Sequence, residues 1–376
     1  MLKLLKTDEI LRYLDYFKDQ PKQNSKEWQE TRRLSIGGSE IAIIQGISPF
    51  KKLRNMMEAK INNNYWDGNI YTWWGKVFER IVKSWCELVF HTKIYGTNDY
   101  LRNIPNKDGF AYSPDGIGVV QIPIEIEYNN SILRRYVEDK IVLFEFKSPF
   151  GKMVKENVPE DHYVSQVKMG LDMIDIAEMG LLVEAVFRRC SWNDLDFTTN
   201  YDHEFQTKSY NETVSAFGII YICVHDISDI NLNNLKAIYK ENYLNIDETV
   251  DYGTCDRLVL EEILRLITKG HILPVYSHIT ISNQEMSLRK LEKIYEDLTS
   301  SAHVIGVLPW KLVDIVYHPI EKTIGYLDQY KEKISEILKV IKDGQNNMAN
   351  SKNILDKYFN IPASPDKEVE DNFVYV

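Results

Sequence analysis

The sequence predicts an α/β fold in which a mixed central sheet is flanked by helices and carries one large insertion. Three observations lead there: a strongly amphipathic helical stretch at 75–90, a long strand–turn–strand pattern at 122–146, and a buried-strand run at 181–187 that follows another helical stretch. The 376 residues suggest two domains, or one domain enlarged by an insertion. With 44% apolar and 27% charged residues, a sizeable core is expected and global disorder is excluded.

Taken in order, Leu4, Leu5, Ile10, Leu11, Leu14 and Phe17 recur at helical intervals and predict an amphipathic helix over 1–17. A break at 20–25 precedes Gly37-Gly38-Ser39, which leads into a short apolar helix at 40–45 stopped by Gly46 and Pro49. In 75–90, Phe78, Ile81, Val82, Trp85, Leu88 and Val89 share one helical face, and Trp73, Trp74 and Trp85 read as core residues. Residues 110–112 read as a strand running into the turn sequence Ser113-Pro114-Asp115-Gly116. Ile122, Ile124, Ile126 and Tyr128 alternate up to Asn129-Asn130, and 132–146 returns, which predicts a β-hairpin. A helix is expected at 161–178 and a buried strand at 181–187.

Beyond about 195 the texture changes to polar stretches with a short strand at 219–224 and helices at 257–268 and 285–298. A strand at 312–317 and a helix at 323–341 follow, and the polar tail from Asn346 reads as loosely ordered. The expected organisation is a core over 1–195, an insertion of mixed α/β character over 196–305, a return to the core over 306–345 and a C-terminal tail over 346–376.

The net charge of −10 argues against a non-specific polyanion binder and confines any nucleic-acid contact to local basic patches. The first 60 residues carry 12 Lys or Arg against 8 Asp or Glu, so the N-terminal region is the favoured place for one. No apolar run approaches the roughly 18 residues of a membrane span, and Asp8 and Glu9 interrupt any secretory leader, so no membrane association is expected. The four cysteines show no C-x-x-C spacing, which speaks against a zinc or iron–sulfur site and for a reduced, cytoplasmic protein.

The chemistry concentrates around Asp115 and, thirty positions later, Glu145-Phe146-Lys147. On a strand Glu145 and Lys147 leave the same face, and burying two carboxylates with a lysine is costly unless a cation or a reaction needs them. Hard oxygen ligands suit Mg²⁺, with Mn²⁺ as a substitute, and such a metal lowers the pKa of a bound water and neutralises charge on a phosphoryl centre. By itself an E-x-K triplet also fits a cross-strand ion pair; the upstream S-P-D-G sharpens the reading.

Asp115 with Glu145-x-Lys147 resembles the core of the restriction-endonuclease-like nucleases, and more closely the lambda exonuclease family with its YqaJ-type viral recombinases. Further segments carry the resemblance in the same order: the arginine-to-serine stretch from Arg32 to Ser39, Trp74-Gly75 with Glu79, Ser113-Pro114-Asp115-Gly116, Glu145-Phe146-Lys147 with Pro149-Phe150, and Gln166. Lys168 departs from the pattern, standing where the family commonly has a second glutamine.

The resemblance implies a restriction-endonuclease-like core and a metal-dependent deoxyribonuclease. Its metal would be held by Asp115, Glu145 and the backbone carbonyl of Phe146, with Glu79 supporting the site. It implies further that Lys147 positions the attacking water, that Gln166 orders the water and the lysine, and that Ser113 contacts the scissile phosphate. Arg32 and Ser39 would hold a 5′-phosphate, with Arg33 competing for the role of Arg32. An arginine beside an apparent helix start also makes independent physical sense as an anion site. The implied activity is 5′→3′ degradation of linear duplex DNA to mononucleotides in viral recombination, repair or replication. Possible partners are a single-strand annealing protein and further copies of the chain. The rivals are an endonuclease of the same fold and an inactive module that binds DNA ends. Glu79 also fits a surface pair with Lys83, Ser39 a plain N-cap, and Gln166 a surface position.

Overall fold

The computed structural model describes residues 2–23, 25–64, 68–97, 99–102, 107–128, 131–151, 158–189, 197–199, 205–207, 213–214, 216–224, 254–280, 293, 297 and 303–360. Five helices come first: α1 (Leu2–Tyr16), α2 (Lys26–Arg32), α3 (Gly38–Gln45), α4 (Leu53–Asn62) and α5 (Ile70–Val89). The short strands β1 (Ile94–Tyr95), β2 (Leu101–Arg102) and β3 (Ala111–Tyr112) lead into the long pair β4 (Gly116–Tyr128) and β5 (Ser131–Lys147). Helix α6 (Asp161–Met173) and strand β6 (Met179–Arg189) follow. Then come β7 (Phe197–Thr199), β8 (Phe205–Thr207), β9 (Thr213–Val214), β10 (Ala216–Val224), α7 (Thr254–Thr268), β11 (Leu273–Thr280) and β12 (His303–Glu321). Helices α8 (Lys331–Asn346) and α9 (Ser351–Tyr358) complete the described chain.

The central sheet has seven strands in the order β1-β4-β5-β6-β12-β10-β11. All its pairings are antiparallel except β5 with β6. A parallel pair cannot be joined by a tight turn, so the chain crosses over one face of the sheet, and α6 is the helix of that crossover. The predicted hairpin is present as β4 and β5, paired from Gly116 with Phe144 out to Tyr128 with Ser131.

Alternation along β5 sorts its side chains. Ile141 and Leu143 enter one apolar cluster with α3, α4, α6 and α8, whereas Val142, Phe144 and Phe146 enter a second cluster with α5 and α7. Glu145 and Lys147 therefore project on the α6 side. Helix α5 buries Trp73, Trp74, Phe78, Ile81, Val82 and Trp85 against the other face. Each such large side chain contributes about 1.5–3 kcal/mol when fully removed from water.

Several expectations need correction. Helix α5 begins five residues earlier than predicted, because Asn69 caps it by accepting from the N–H groups of Tyr71 and Thr72 while the Thr72 hydroxyl accepts from the Asn69 N–H. Its stripe ends at Trp85 and Cys86; Leu88 and Val89 lie beyond the core and are exposed. In α1, Leu4, Leu5 and Leu11 are exposed, and Ile10 is the fully buried anchor. Helix α6 stops at Met173 because Ile174 turns extended, which lets Glu178 pair with Ile141 at the entry to β6. The helix expected at 323–341 starts only at Lys331; a turn with Gly325 at φ 70° comes first, and Asp172 accepts from the N–H groups of Gly325 and Leu327. The tail is ordered further than predicted, since α9 buries Leu355 and Arg54 of α4 bonds Asp356 at 2.6 Å. The helix predicted at 285–298 and the last residues, 361–376, lie outside the described residues. Within the segment 196–305, β10 and β11 join the central sheet, and α7 packs on α5.

Candidate active site

The site forms where β5 outruns β4. The last paired residues are Gly116 and Phe144, so Glu145, Phe146 and Lys147 extend past the start of β4, beside the Ser113–Gly116 turn. Gly116 is required there, since a Cβ would fall 2.1 Å from Ile94 Cγ2. The turn directs Asp115 back onto β5, where its Oδ2 accepts from the Phe146 N–H at 2.7 Å. In an extended strand the N–H and C=O of one residue leave by the same edge, so the Phe146 carbonyl projects toward Asp115 as well.

Glu145 is 1% exposed and receives three donors. Its Oε1 accepts from Lys147 Nζ and Gln166 Nε2, both at 2.6 Å, and its Oε2 accepts from the Tyr112 hydroxyl at 2.9 Å. Each carboxylate oxygen offers two lone-pair directions, so Oε1 is filled while Oε2 keeps one open. Lys147 also lies 3.4 Å from Gln166 Oε1 and 5.0 Å from the centre of the Tyr163 ring. Gln166 thus faces inward from α6. Lys168, two residues on, falls about 200° round the helix and serves another side.

Electrostatics mark the same group. Burial, then Glu145 and Glu79, push Asp115 well above the usual carboxylate range. Burial and then Glu145 push Glu79 up to about 7. For Lys147 burial opposes the charge, but Glu145 and Asp115 outweigh it and raise its pKa. Glu79 reaches the site from α5, which wraps the end of β5: a Cβ on Gly75 would stand 4.0 Å from the Ser148 carbonyl oxygen. Its surface pair with Lys83 is not formed, because Lys83 instead bonds Thr97 at 3.2 Å. Among the described residues, no three His, Cys, Asp or Glu groups form a cage for a metal ion. Two carboxylates with open positions suit Mg²⁺, which prefers one or two carboxylates plus water and phosphate oxygens to an all-protein cage.

Arg32 and Arg33 separate clearly. Arg33 donates to the carbonyls of Lys60 and Ile61 at 3.2 and 3.1 Å and so braces the end of α4. The Arg32 guanidinium stacks over Trp28 at 4.9 Å and faces the Gly37 turn, where a Cβ would lie 3.9 Å from its Nε. Below it Lys60, 7% exposed, donates to the carbonyls of Arg32 and Ser35 at 2.8 Å each and pairs with Glu40 at 3.0 Å. Glu40 in turn accepts from the Gly37 N–H at 2.8 Å. Gly37 is therefore the N-cap of α3, and Ser39 is an exposed residue of its first turn rather than the cap. Ser113 is half-buried between Tyr112 and Asp115.

Two features escaped the sequence reading. Tyr112 stood out there only as part of a motif, yet its ring fills a slot between α3 and α6. A Cβ on Gly38 would lie 2.7 Å from it, and one on Gly170 would lie 2.5 Å from it. Beside Lys147 across the parallel pair stands Glu184, bonded to His318 at 3.1 Å in a buried contact between β6 and β12. Glycines three to four residues from motif positions were the available signal for Tyr112; nothing local signals a pair 134 residues apart.

With this geometry in place, similarity to known proteins becomes informative. A protein of African swine fever virus (strain Badajoz 1971 Vero-adapted) is 32% identical over 314 residues, spanning 79% of this chain and 90% of the viral protein. The YqaJ-like viral recombinase domain matches residues 27–174. The chain belongs to the YqaJ-like viral recombinase family. The protein of the same name from the Tick/Malawi/Lil 20-1/1983 isolate of that virus is 31% identical over 265 residues, 64% of this chain and 75% of the viral protein. A crystal structure of an alkaline exonuclease from Laribacter hongkongensis aligns over 43% of this chain and 74% of its own, at 17% identity and a TM-score of 0.32. The YqaJ-like match contains Arg32, Glu79, Asp115, Glu145, Lys147 and Gln166. β12, which supplies His318, lies outside it.

Proposed function

We propose that this YqaJ-like recombinase is a metal-dependent deoxyribonuclease that degrades linear duplex DNA 5′→3′ from phosphorylated ends. The observation that carries the reading is the convergence on Glu145 of Lys147, Gln166 and Tyr112, with Asp115 fixed on the neighbouring N–H. Such a group is costly to bury and has little structural use.

In this reading Asp115, Glu145 and the Phe146 carbonyl hold Mg²⁺ or Mn²⁺, and Glu79 stabilises that charge from α5. The ion supplies a water of lowered pKa and neutralises charge on the scissile phosphate. Lys147 stays cationic beside Glu145, which suits it to orient the water and to stabilise negative charge rather than to act as a base. Gln166 bonds both Glu145 and Lys147, so it fixes their relative position. Ser113 faces the phosphate, and Arg32 with Ser39 grips the terminal 5′-phosphate. Arg33 is excluded from that role because its guanidinium is spent on two carbonyls. The end-binding site is what distinguishes an exonuclease from an endonuclease here.

The test uses a linear duplex with one 5′-phosphorylated end and the same DNA as a closed circle. Each is incubated with Mg²⁺ and either the wild type or Lys147→Ala. Mononucleotides released from the linear DNA alone, and lost in the variant, are the expected result. Cutting of the circle would reassign the protein as an endonuclease. Binding without turnover would make it a DNA-end-binding module.

A further inference from the structure

A run of aromatic side chains leads outward from the catalytic lysine. The Lys147 ammonium lies 5.0 Å from the Tyr163 ring centre; Tyr163 stacks on His162 at 4.0 Å; and His162 meets Phe50 edge-to-face at 5.3 Å. Phe50 ends the run at 75% exposure, well beyond what an aromatic side chain needs for packing. Its position is nonetheless defined, because the Ser48 hydroxyl accepts from the N–H groups of Phe50 and Lys51 at 3.3 and 3.4 Å. Lys51 and Lys52 follow directly, both exposed, and Lys51 is close enough to be felt by Lys60 beneath the Arg32 turn.

An exposed ring beside two lysines, continuous with a phosphate-processing site, has the composition of a single-strand platform: a flat face for a base and cations for the backbone. Within a duplex, base faces are already stacked on one another. The ring faces of Phe50 therefore suit a nucleobase whose own face is open, at a frayed end or in a single strand. Stacking of this kind discriminates little between bases, because every base has a π-face.

We propose that Phe50, backed by His162 and Tyr163, is a nucleobase-stacking platform that receives an unpaired base at the DNA end beside the catalytic site. The proposal rests on the reading of that site as one that handles DNA. It adds a base contact to a set of residues that otherwise address phosphate and metal alone.

The experiment uses a 5′-phosphorylated duplex whose terminal nucleotides are mismatched and carry 2-aminopurine, a base whose fluorescence falls on stacking. Binding is followed in EDTA with the wild type, Phe50→Tyr and Phe50→Leu. Wild type and Phe50→Tyr are expected to quench the probe. Phe50→Leu should leave it near its free-DNA brightness and bind about tenfold more weakly, the loss of one stacked base. Its melting temperature should be unchanged, since the side chain it alters is exposed. Equal quenching by Phe50→Leu, or none by the wild type, would overturn the platform. In parallel, Mg²⁺ is added to the wild type with saturating DNA. Absent cleavage alongside quenching that depends on Phe50 would overturn the nuclease reading and leave the platform standing.

Discussion

Tyr112 donates its hydroxyl to Glu145 at 2.9 Å from a slot whose two walls are glycines, Gly38 on α3 and Gly170 on α6. The bond fixes one carboxylate oxygen of Glu145 while Lys147 and Gln166 fix the other. Tyr112→Phe keeps the ring and removes the donor. A hydrogen bond to a charged group contributes about 1.5–3 kcal/mol, so the cleavage rate on linear DNA should fall roughly 10- to 100-fold with the fold retained. Single-turnover kinetics on the variant would check this, and an unchanged rate would show that the hydroxyl is a bystander.

The slot itself makes a stability prediction. In Gly170→Ala the new Cβ would lie 2.5 Å from Tyr112 Cζ and 2.6 Å from Leu143 Cδ2, both buried. Overpacking of this kind costs about 1–3 kcal/mol, so the urea midpoint should drop, with activity falling further as Tyr112 is displaced. An alanine variant as stable as the wild type would mean that α6 can retreat from the sheet freely.

Glu79, pushed up to about 7 by burial and then by Glu145, and Asp115, raised by burial and then by Glu145 and Glu79, set a pH dependence. Both folded values lie above those of an unfolded chain, roughly 4. Their contribution to stability is therefore fully present below that value and is lost as pH rises through about 7 for Glu79. Without metal, the melting temperature should decline between pH 6 and pH 8. A divalent cation needs the deprotonated carboxylates, so added Mg²⁺ should raise the melting temperature more at pH 8 than at pH 6. Thermal melts at the two pH values decide the matter; equal increments would remove the carboxylates from the metal site.

The two neighbouring arginines should behave oppositely. Arg32→Ala removes a guanidinium that faces the Gly37 turn, so the fold should hold while the preference for a 5′-phosphate over a 5′-hydroxyl is lost. Arg33→Ala leaves the carbonyls of Lys60 and Ile61 without their donor, at a cost of about 1–3 kcal/mol, and should keep the end preference. Paired cleavage assays and melts on both variants separate the roles. A lost phosphate preference in Arg33→Ala would reverse the assignment.

The sequence made the chemistry on β5 legible because its periodicity is local. Glu145 and Lys147 share a face by alternation alone, and the turn before β4 is written in Ser113-Pro114-Asp115-Gly116. The hairpin, β6 and the buried tryptophans were legible on the same grounds. The helix ends were less so: α5 extends back to a cap made by Asn69, and α8 waits for Gly325 and the carboxylate of Asp172. The fate of Arg33 and Lys60 was out of reach, because it depends on backbone carbonyls across 25 to 28 positions. So was the Glu184–His318 contact, which exists only because β12 comes to lie beside β6.

That placement of β12 bears on how the protein is made. Every motif residue from Arg32 to Gln166 is translated before residue 303, where β12 begins. Until β12 emerges, β6 has β5 on one edge and an open row of N–H and C=O groups on the other. A nascent chain of that length already holds the catalytic side chains, yet lacks the neighbour that closes the sheet beside them and brings His318 to Glu184. Folding that depends on so distant a strand is slow by topology. The same delay keeps an incomplete chain from assembling a finished active site while it is still attached to the ribosome.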